Sequence, residues 1–443
     1  MGLKHLQKIG SHSSEGFDIH KKVVESMEKM VVGVVSAPGL PEKLLGDIME
    51  SLKDLAGPSI DENIDWEIDF KTDPLASSAE YISDIFDRLE EFKEKNGWDL
   101  AIATTDLPSI SNNKVVISEF AYDRKLSLMS VPAIGVFRQK KKLETLLTHH
   151  MEALYHTYSE AETESVQPDF LNKVSEVKAI EGEEGRKRYI LKSTFGGWLR
   201  LTAGMTQLNE PLSEFGNFKT IVALAFATGT YISIFRTPWE LSLDYSPWRL
   251  ILLMLIAVAG MVGWLIYAHN LWEGRSTRNQ PVYRRLYNFT TLLTLLTLTI
   301  LSYIMVSLLL TVSILTFVPM GLFETWTDAE VEYDVDWYDY LDLIWFTASA
   351  GILAGAFGST VEQEDKIRNI TYSYRQWYRY RQLEKEKEEQ EKEEQESGTD
   401  EEEADEKQEQ GEEEEYAGEK QGHDEEEEHA GEKQEHDEAE EEK

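Results

Sequence analysis

No cysteine occurs in the 443 residues, which excludes a disulfide framework, a thiolate metal site and a cysteine nucleophile. Two phosphate-binding signatures are also missing: no G-x-G-x-x-G follows the first strand-like run, and no G-x-x-x-x-G-K-[ST] occurs. Nucleotide-phosphate binding therefore has no motif behind it. A signal sequence is not expected, because Met1 to Gly16 is polar and lacks the apolar core of about seven to fifteen residues that such a segment needs. Lys and Arg are absent from Glu324 to Tyr340. Charges central to an apolar run are absent too, since Lys219, Arg249, His269 and Asp342 all sit at run ends, where long side chains snorkel to water.

What is present decides the class. Apolar stretches run near Ile221–Phe235, Leu250–Ala268, Phe289–Phe323 and Leu341–Phe357, and a bilayer-spanning helix needs roughly 20 such residues. The expected organisation is a cytoplasmic α/β domain over 1–158, a linker and interfacial segment over 159–217 and a four-helix transmembrane domain over 218–360. A basic aromatic segment over 361–381 and a disordered acidic tail over 382–443 follow. From Gln382 onward there are 32 Asp+Glu and 7 Lys+Arg, so that most of the net charge of −38 belongs to the tail. Such a composition cannot bury a core and stays disordered. It contains an imperfect repeat, Ala417-Gly-Glu-Lys-Gln421 against Ala430-Gly-Glu-Lys-Gln434, and its expected role is to oppose aggregation.

Charge asymmetry gives an orientation. The loop Glu273 to Tyr287 carries Arg275, Arg278, Arg284 and Arg285, whereas Glu324 to Tyr340 carries seven acids, among them Asp328, Glu330, Glu332 and Asp334. The first is therefore expected in the cytoplasm, and both termini with it. Phe289–Phe323 is too long for one span at 1.5 Å per residue, and Pro319 with Gly321 is expected to end its helix near Val318.

In the first half, Val31–Ser36 reads as a β-branched strand ending in Ala37-Pro38-Gly39-Leu40-Pro41, followed by an amphipathic helix. The pattern repeats through Trp66–Phe70, Ser78–Lys95, Trp98–Ala103, Lys114–Phe120, Leu126–Val131 and a closing helix from Gln139 to about Tyr158. Strands alternating with helices imply an open α/β sheet, Rossmann-like or metzincin-like. In such sheets ligands bind at the carboxyl ends of strands, which here makes Ser36, Gly39, Thr104, Thr105, Asp106 and Ser130 the candidate ligand-binding residues. The same residue types are also ordinary turn formers.

The closing helix places His149, Glu152 and His156 at i, i+3 and i+7, a candidate zinc-binding face. The order of elements resembles an archaemetzincin peptidase. That family's H-E-x-x-H-x-x-G-x-x-H is not reproduced here, because Glu152 follows His150 by two and no histidine follows one turn later in register.

The fourth apolar run is rich in small residues, with Gly351-Ile-Leu-Ala-Gly355 a formal G-x-x-x-G, so helix–helix contact within the bundle or a homo-oligomer through Gly351 and Gly355 is expected. The third is rich in threonine. Gly196 to Met205 reads as a short segment lying on the inner membrane surface. A nucleic-acid partner is disfavoured by the acidic tail.

The segments G-W-D-L-A-I-A-T-T-D-L-P, V-V-I-S-E and S-L-M-S-V-P-A-I-G are similar to those of an uncharacterised family of Gram-positive bacterial membrane proteins, over roughly residues 30 to 360. The resemblance implies a soluble α/β domain on four transmembrane helices in the cell membrane. Some members carry a label of methylene-tetrahydrofolate dehydrogenase, for which this sequence shows neither a dinucleotide fingerprint nor a catalytic lysine. Three functions stay open: a membrane-anchored regulatory or scaffold protein with a ligand- or partner-binding cytoplasmic domain, a membrane-tethered hydrolase or folate-type oxidoreductase, and a small transporter or oligomeric channel.

Overall fold

The computed structural model describes residues 28–75, 82–158, 176–182, 185–273, 281–327, 336–358 and 385. All of these except Lys385 lie in one compact unit, Met1–Tyr380. The expectations for the basic aromatic segment 361–381, for the rest of the acidic tail, for Arg275 and Arg278 and for the acids between 328 and 334 fall outside the described residues.

The N-terminal part is an eight-stranded mixed sheet. Its strands are β1 (Glu28–Ser36), β2 (Ile64–Thr72), β3 (Leu100–Thr105), β4 (Ser109–Ser111), β5 (Lys114–Ala121), β6 (Leu126–Ser130), β7 (Val177–Glu181) and β8 (Lys187–Leu191), in the order β2-β1-β3-β6-β5-β8-β7 with β4 on β5. β2, β1, β3 and β6 pair in parallel and the remainder antiparallel. All six residues of β3 are buried, as expected of a parallel strand covered on both faces. β2, at the sheet edge, alternates buried and exposed over its first four residues and carries Asp65, Glu67 and Lys71, charges that discourage pairing with another chain. Asn112 and Asn113, at φ 48° and 62°, make the two-residue turn between β4 and β5. Gly33 is required on β1: a Cβ there would stand 1.8 Å from the Trp98 ring, whose Nε1 donates to Asp69 at 2.9 Å.

Helices α1 (Leu40–Gly46), α2 (Met49–Ser59), α3 (Ile82–Asn96) and α4 (Gln139–Tyr158) connect the strands, and a 3-10 turn, Val131–Ile134, joins β6 to α4. The amphipathic stretch after β1 is thus two helices rather than one. Residues expected to be linker supply β7 and β8, so the sheet runs past 158 to Leu191. The basic stretch around Arg186 does not look like a strand in sequence because the acid that pairs with Arg186 and Arg188 lies far earlier in the chain. Glu119 on β5, 2 % exposed, pairs with Arg188 at 2.9 Å and Arg186 at 3.3 Å.

The remainder is helical: α5 (Thr194–Leu208), α6 (Pro211–Glu214), a 3-10 turn at Phe215–Phe218, α7 (Lys219–Ser233), α8 (Arg236–Asp244), α9 (Pro247–Ala268), α10 (Pro281–Phe317), α11 (Met320–Thr327) and α12 (Asp339–Gly358). Of these α9, α10 and α12 are long and apolar enough to cross a bilayer. Among the described residues a fourth span is present if Thr194–Ser233 and Arg236–Asp244, which meet at 91°, are one broken crossing. The expected first span, Ile221–Phe235, therefore ends in a sharp bend, with Trp239 Nε1 donating to the Ser233 carbonyl at 2.7 Å.

α10 explains its own excess length. At 37 residues it is about 55 Å long, and its first turns leave the apolar run. Tyr283, Leu286 and Tyr287 are buried in the same core as the sheet. Its far end is Phe317, just before Pro319, as the sequence suggests. Its threonines mostly bond back to their own helix, Thr297 to the Leu293 carbonyl at 2.8 Å and Thr311 to that of Ser307 at 2.8 Å.

The small-residue face of α12 is buried within the chain. A Cβ on Gly351 would stand 2.5 Å from the Ala225 carbonyl oxygen, and one on Gly355 would stand 2.9 Å from that of Ile221, both on α7. A homo-oligomer through Gly351 and Gly355 would have to displace α7. α5, expected as an interfacial segment, packs along α10. Met205 touches Thr290 and Asn209 bonds Thr294, so α5 and the turn after it advance along α10 four residues at a time.

Candidate functional site

Strand β1 has β2 on one side and β3 on the other, so the chain changes direction across the sheet between β1 and β3. At such a switch point the loops after the two strands diverge and leave a crevice at their carboxyl ends. Five of the six candidate ligand residues converge there or beside it, all at most 3 % exposed: Ser36, Thr104, Thr105, Asp106 and Ser130. Gly39 stands apart on the surface at φ 93°.

The converging hydroxyls hold the turns together. Thr104 Oγ1 donates to Ser36 Oγ at 3.2 Å, and Ser36 Oγ to the Ala37 carbonyl at 3.0 Å. Thr105 Oγ1 accepts from the Leu107 amide at 3.1 Å, a local side-chain turn. Ser130 Oγ crosses to the Leu107 carbonyl at 2.8 Å. These groups form a closed floor rather than an open set of donors. Next to it Thr105, Ser109, Glu119, Leu128 and Ser130 line a cavity with room for about one ordered water.

On α4, His149 Nδ1 lies 3.5 Å from Glu152, while the ring of His156 packs beside Tyr155 at 5.9 Å. Among the described residues no group of three His, Asp or Glu converges as metal ligands. The histidine with a defined polar setting is His150, which sequence reasoning passed over. It is fully buried, its Nδ1 2.8 Å from Ser127 Oγ and its Nε2 2.9 Å from Ser118 Oγ, with the Phe120 ring tilted against it at 4.3 Å. Burial, with the neighbouring His149 acting in the same direction, holds its pKa well below the ordinary imidazole value. Neighbouring helix positions point about 100° apart, so periodicity alone does not say which of two adjacent histidines faces the sheet.

The helical part closes the carboxyl edge. Arg200 on α5 donates twice to the Ile134 carbonyl, from Nε at 2.9 Å and Nη2 at 2.7 Å. Lys142 on α4 donates to the same oxygen at 3.1 Å. Lys43 on α1 pairs with Glu210, between α5 and α6, at 2.8 Å. The edge of the sheet, the start of α4 and the approach to the apolar helices thus form one contact region. No family model, no curated protein and no solved structure matches this chain.

Proposed function

We propose that this is an integral membrane protein of regulatory or scaffold type. Its α/β domain lies on the cytoplasmic side, binds a polar ligand or partner at the carboxyl edge of the sheet, and passes its state to the membrane helices through α5. The observation that carries this reading is the double engagement of α5. One part of it is seated on the turn after β6, with Gly204 directly against Pro132, and its end bonds α10, Asn209 Nδ2 to Thr294 Oγ1 at 2.7 Å. A rearrangement at the sheet edge cannot leave α10 untouched while both contacts persist, because packed interfaces switch between discrete arrangements rather than deform continuously. The arginine-rich loop before α10 supports the cytoplasmic placement.

Hydrogen exchange on the full chain in nanodiscs tests the coupling, comparing the native protein with Gly204→Ala. The reading expects protection to fall together at 130–135 and at 290–298. Loss confined to α5 itself would remove it.

A further inference from the structure

Phe137 is 82 % exposed in the loop between the turn after β6 and α4. A single exposed aromatic side chain on a soluble surface needs no explanation. Its depth along the membrane helices is what gives this one a meaning.

α10 carries a depth scale of its own. Arg285 and Phe289 are both exposed and stand one turn apart on the same stripe, and no charged residue follows Phe289 until Glu324. The stripe therefore passes from water to hydrocarbon between these two residues. α7 marks the same boundary, because exposed Lys219 opens it and the apolar run starts at Ile221.

Two series of contacts bring the carboxyl edge of the sheet to that level. Met205 touches Thr290, the residue after Phe289, and the preceding Gly204 is seated on Pro132 in the turn after β6. Asn209 bonds Thr294, and the next residue, Glu210, pairs with Lys43 on α1. One turn along from Lys43, Asp47 pairs with Lys140 at the start of α4. Phe137 lies between the two anchored points, three residues after Ile134 and three before Lys140. Arg138 and Lys141 beside it are exposed as well. An aromatic ring that protrudes among cations at this depth suits an anionic bilayer surface, where the ring enters the acyl boundary and the basic side chains stay with the headgroups.

We propose that loop 135–138 docks on the anionic surface of the bilayer that holds the apolar helices, with Phe137 inserted at the acyl boundary and Arg138 and Lys141 on headgroup phosphates. Continuity with the membrane helices names the occupant, since a protein partner would have to enter the layer that the headgroups fill. The inference rests on the membrane placement proposed above and not on the coupling through α5. The carboxyl edge of the sheet then faces lipid, and a ligand reaches it along the membrane surface.

The chain has no cysteine, so one introduced cysteine carries one nitroxide label. Phe137→Cys, Lys95→Cys near the far end of α3 and Leu308→Cys on the lipid-exposed side of α10 are reconstituted in nanodiscs of phosphatidylcholine with and without phosphatidylglycerol. Relaxation of the label by oxygen and by a water-soluble nickel chelate gives its depth. The label at 308 should be shielded from nickel and that at 95 open to it. With phosphatidylglycerol present, the label at 137 should be shielded. Arg138→Gln and Lys141→Gln, added to the Phe137→Cys chain, should raise the ratio of undocked to docked label about fivefold for each charge removed. Hydrogen exchange on the unlabelled chain separates the ring from the label: exchange at 134–142 should rise in Phe137→Ser and stay near native in Phe137→Leu. Position 137 open to nickel while 308 is shielded overturns the docking alone. Both positions open to nickel overturns the membrane placement and the docking together. Shielding at 137 that ignores both phosphatidylglycerol and the charge changes removes the anionic surface as the occupant.

Discussion

Gly204 on α5 lies so close to Pro132 that a Cβ at that position would stand 2.1 Å from the Pro132 carbonyl oxygen. The obstacle is backbone, which cannot swing aside as a side-chain tip does. Gly204→Ala gains up to about 1 kcal/mol of helix propensity. It must also push α5 off the turn after β6, and such overpacking costs about 1–3 kcal/mol. The second effect wins, so the variant should unfold a few degrees lower in detergent. Gly216→Ala is the control: no atom lies within 4 Å of its added Cβ, and its change should stay near zero.

Gly351 and Gly355 face α7 of the same chain. Gly351→Leu should therefore lower the unfolding temperature while leaving the oligomeric state, read by native mass spectrometry or light scattering, as it was. An oligomer that dissociates in the variant while the protomer keeps its stability would place this face between chains instead. Cross-helix bonds between Thr230 and Ser313 at 3.2 Å and between Tyr303 and Ser349 at 2.8 Å tie α7 and α12 to α10 as well. Loss of the α7–α12 seam should thus loosen the whole bundle.

The parts of the fold that could be read directly from the residues were those with a local signature. β1 and β3 are β-branched or apolar runs ending in turn formers, and α4 follows its periodicity over all 20 residues. β7 and β8 could not be read that way. β7 is an edge strand with most side chains in solvent, and β8 opens with Lys187 and Arg188, whose fit depends on Glu119 far earlier in the chain. The G-x-x-x-G announced close packing but not its partner, because which helix comes alongside is a property of topology. The candidate site divides in the same manner. Ser36, Thr104, Thr105, Asp106 and Ser130 do gather at the carboxyl edge, while Lys142 and Arg200 meet only because α5 returns to the turn after β6.

Glu119 is flanked by two arginines, and Arg186 also lies over the Phe86 ring at 5.1 Å. Removing the carboxylate takes away the charge that Arg186, with its side chain only 6 % exposed, and Arg188 both pair with. Glu119→Ala should therefore cost about 3–5 kcal/mol. Arg188→Gln should cost less, since that side chain is 16 % exposed and its partner keeps Arg186. Denaturant unfolding gives both values. Equal costs, or a smaller cost for Glu119→Ala, would show that the triad is not the lock that joins β8 to β5.

His150 makes stability depend on pH in a defined window. Its folded pKa is depressed, and that of His149 is lowered too, by burial that outweighs the nearby Glu152. In the unfolded chain both titrate near 6.5. Above that pH neither state binds the proton, and the histidines do not change stability. Below it the unfolded chain takes up protons that the folded one refuses, so stability falls with pH by up to about 1.4 kcal/mol per unit for each histidine, until the folded pKa is reached. Between pH 6.5 and 5 the native chain should lose stability as pH falls, with His150 contributing up to one proton to the slope and His149 adding to it in the same direction. His150→Gln should lose stability at pH 7.5, because the Ser118 and Ser127 hydroxyls lose the ring that joins them, and its slope should become clearly shallower. Carboxylates titrate mainly below this window, so the comparison isolates the imidazoles. Unfolding free energies at four or five pH values decide the matter, and a slope that Gln leaves unchanged would mean that His150 takes up its proton without leaving its place between the two serines.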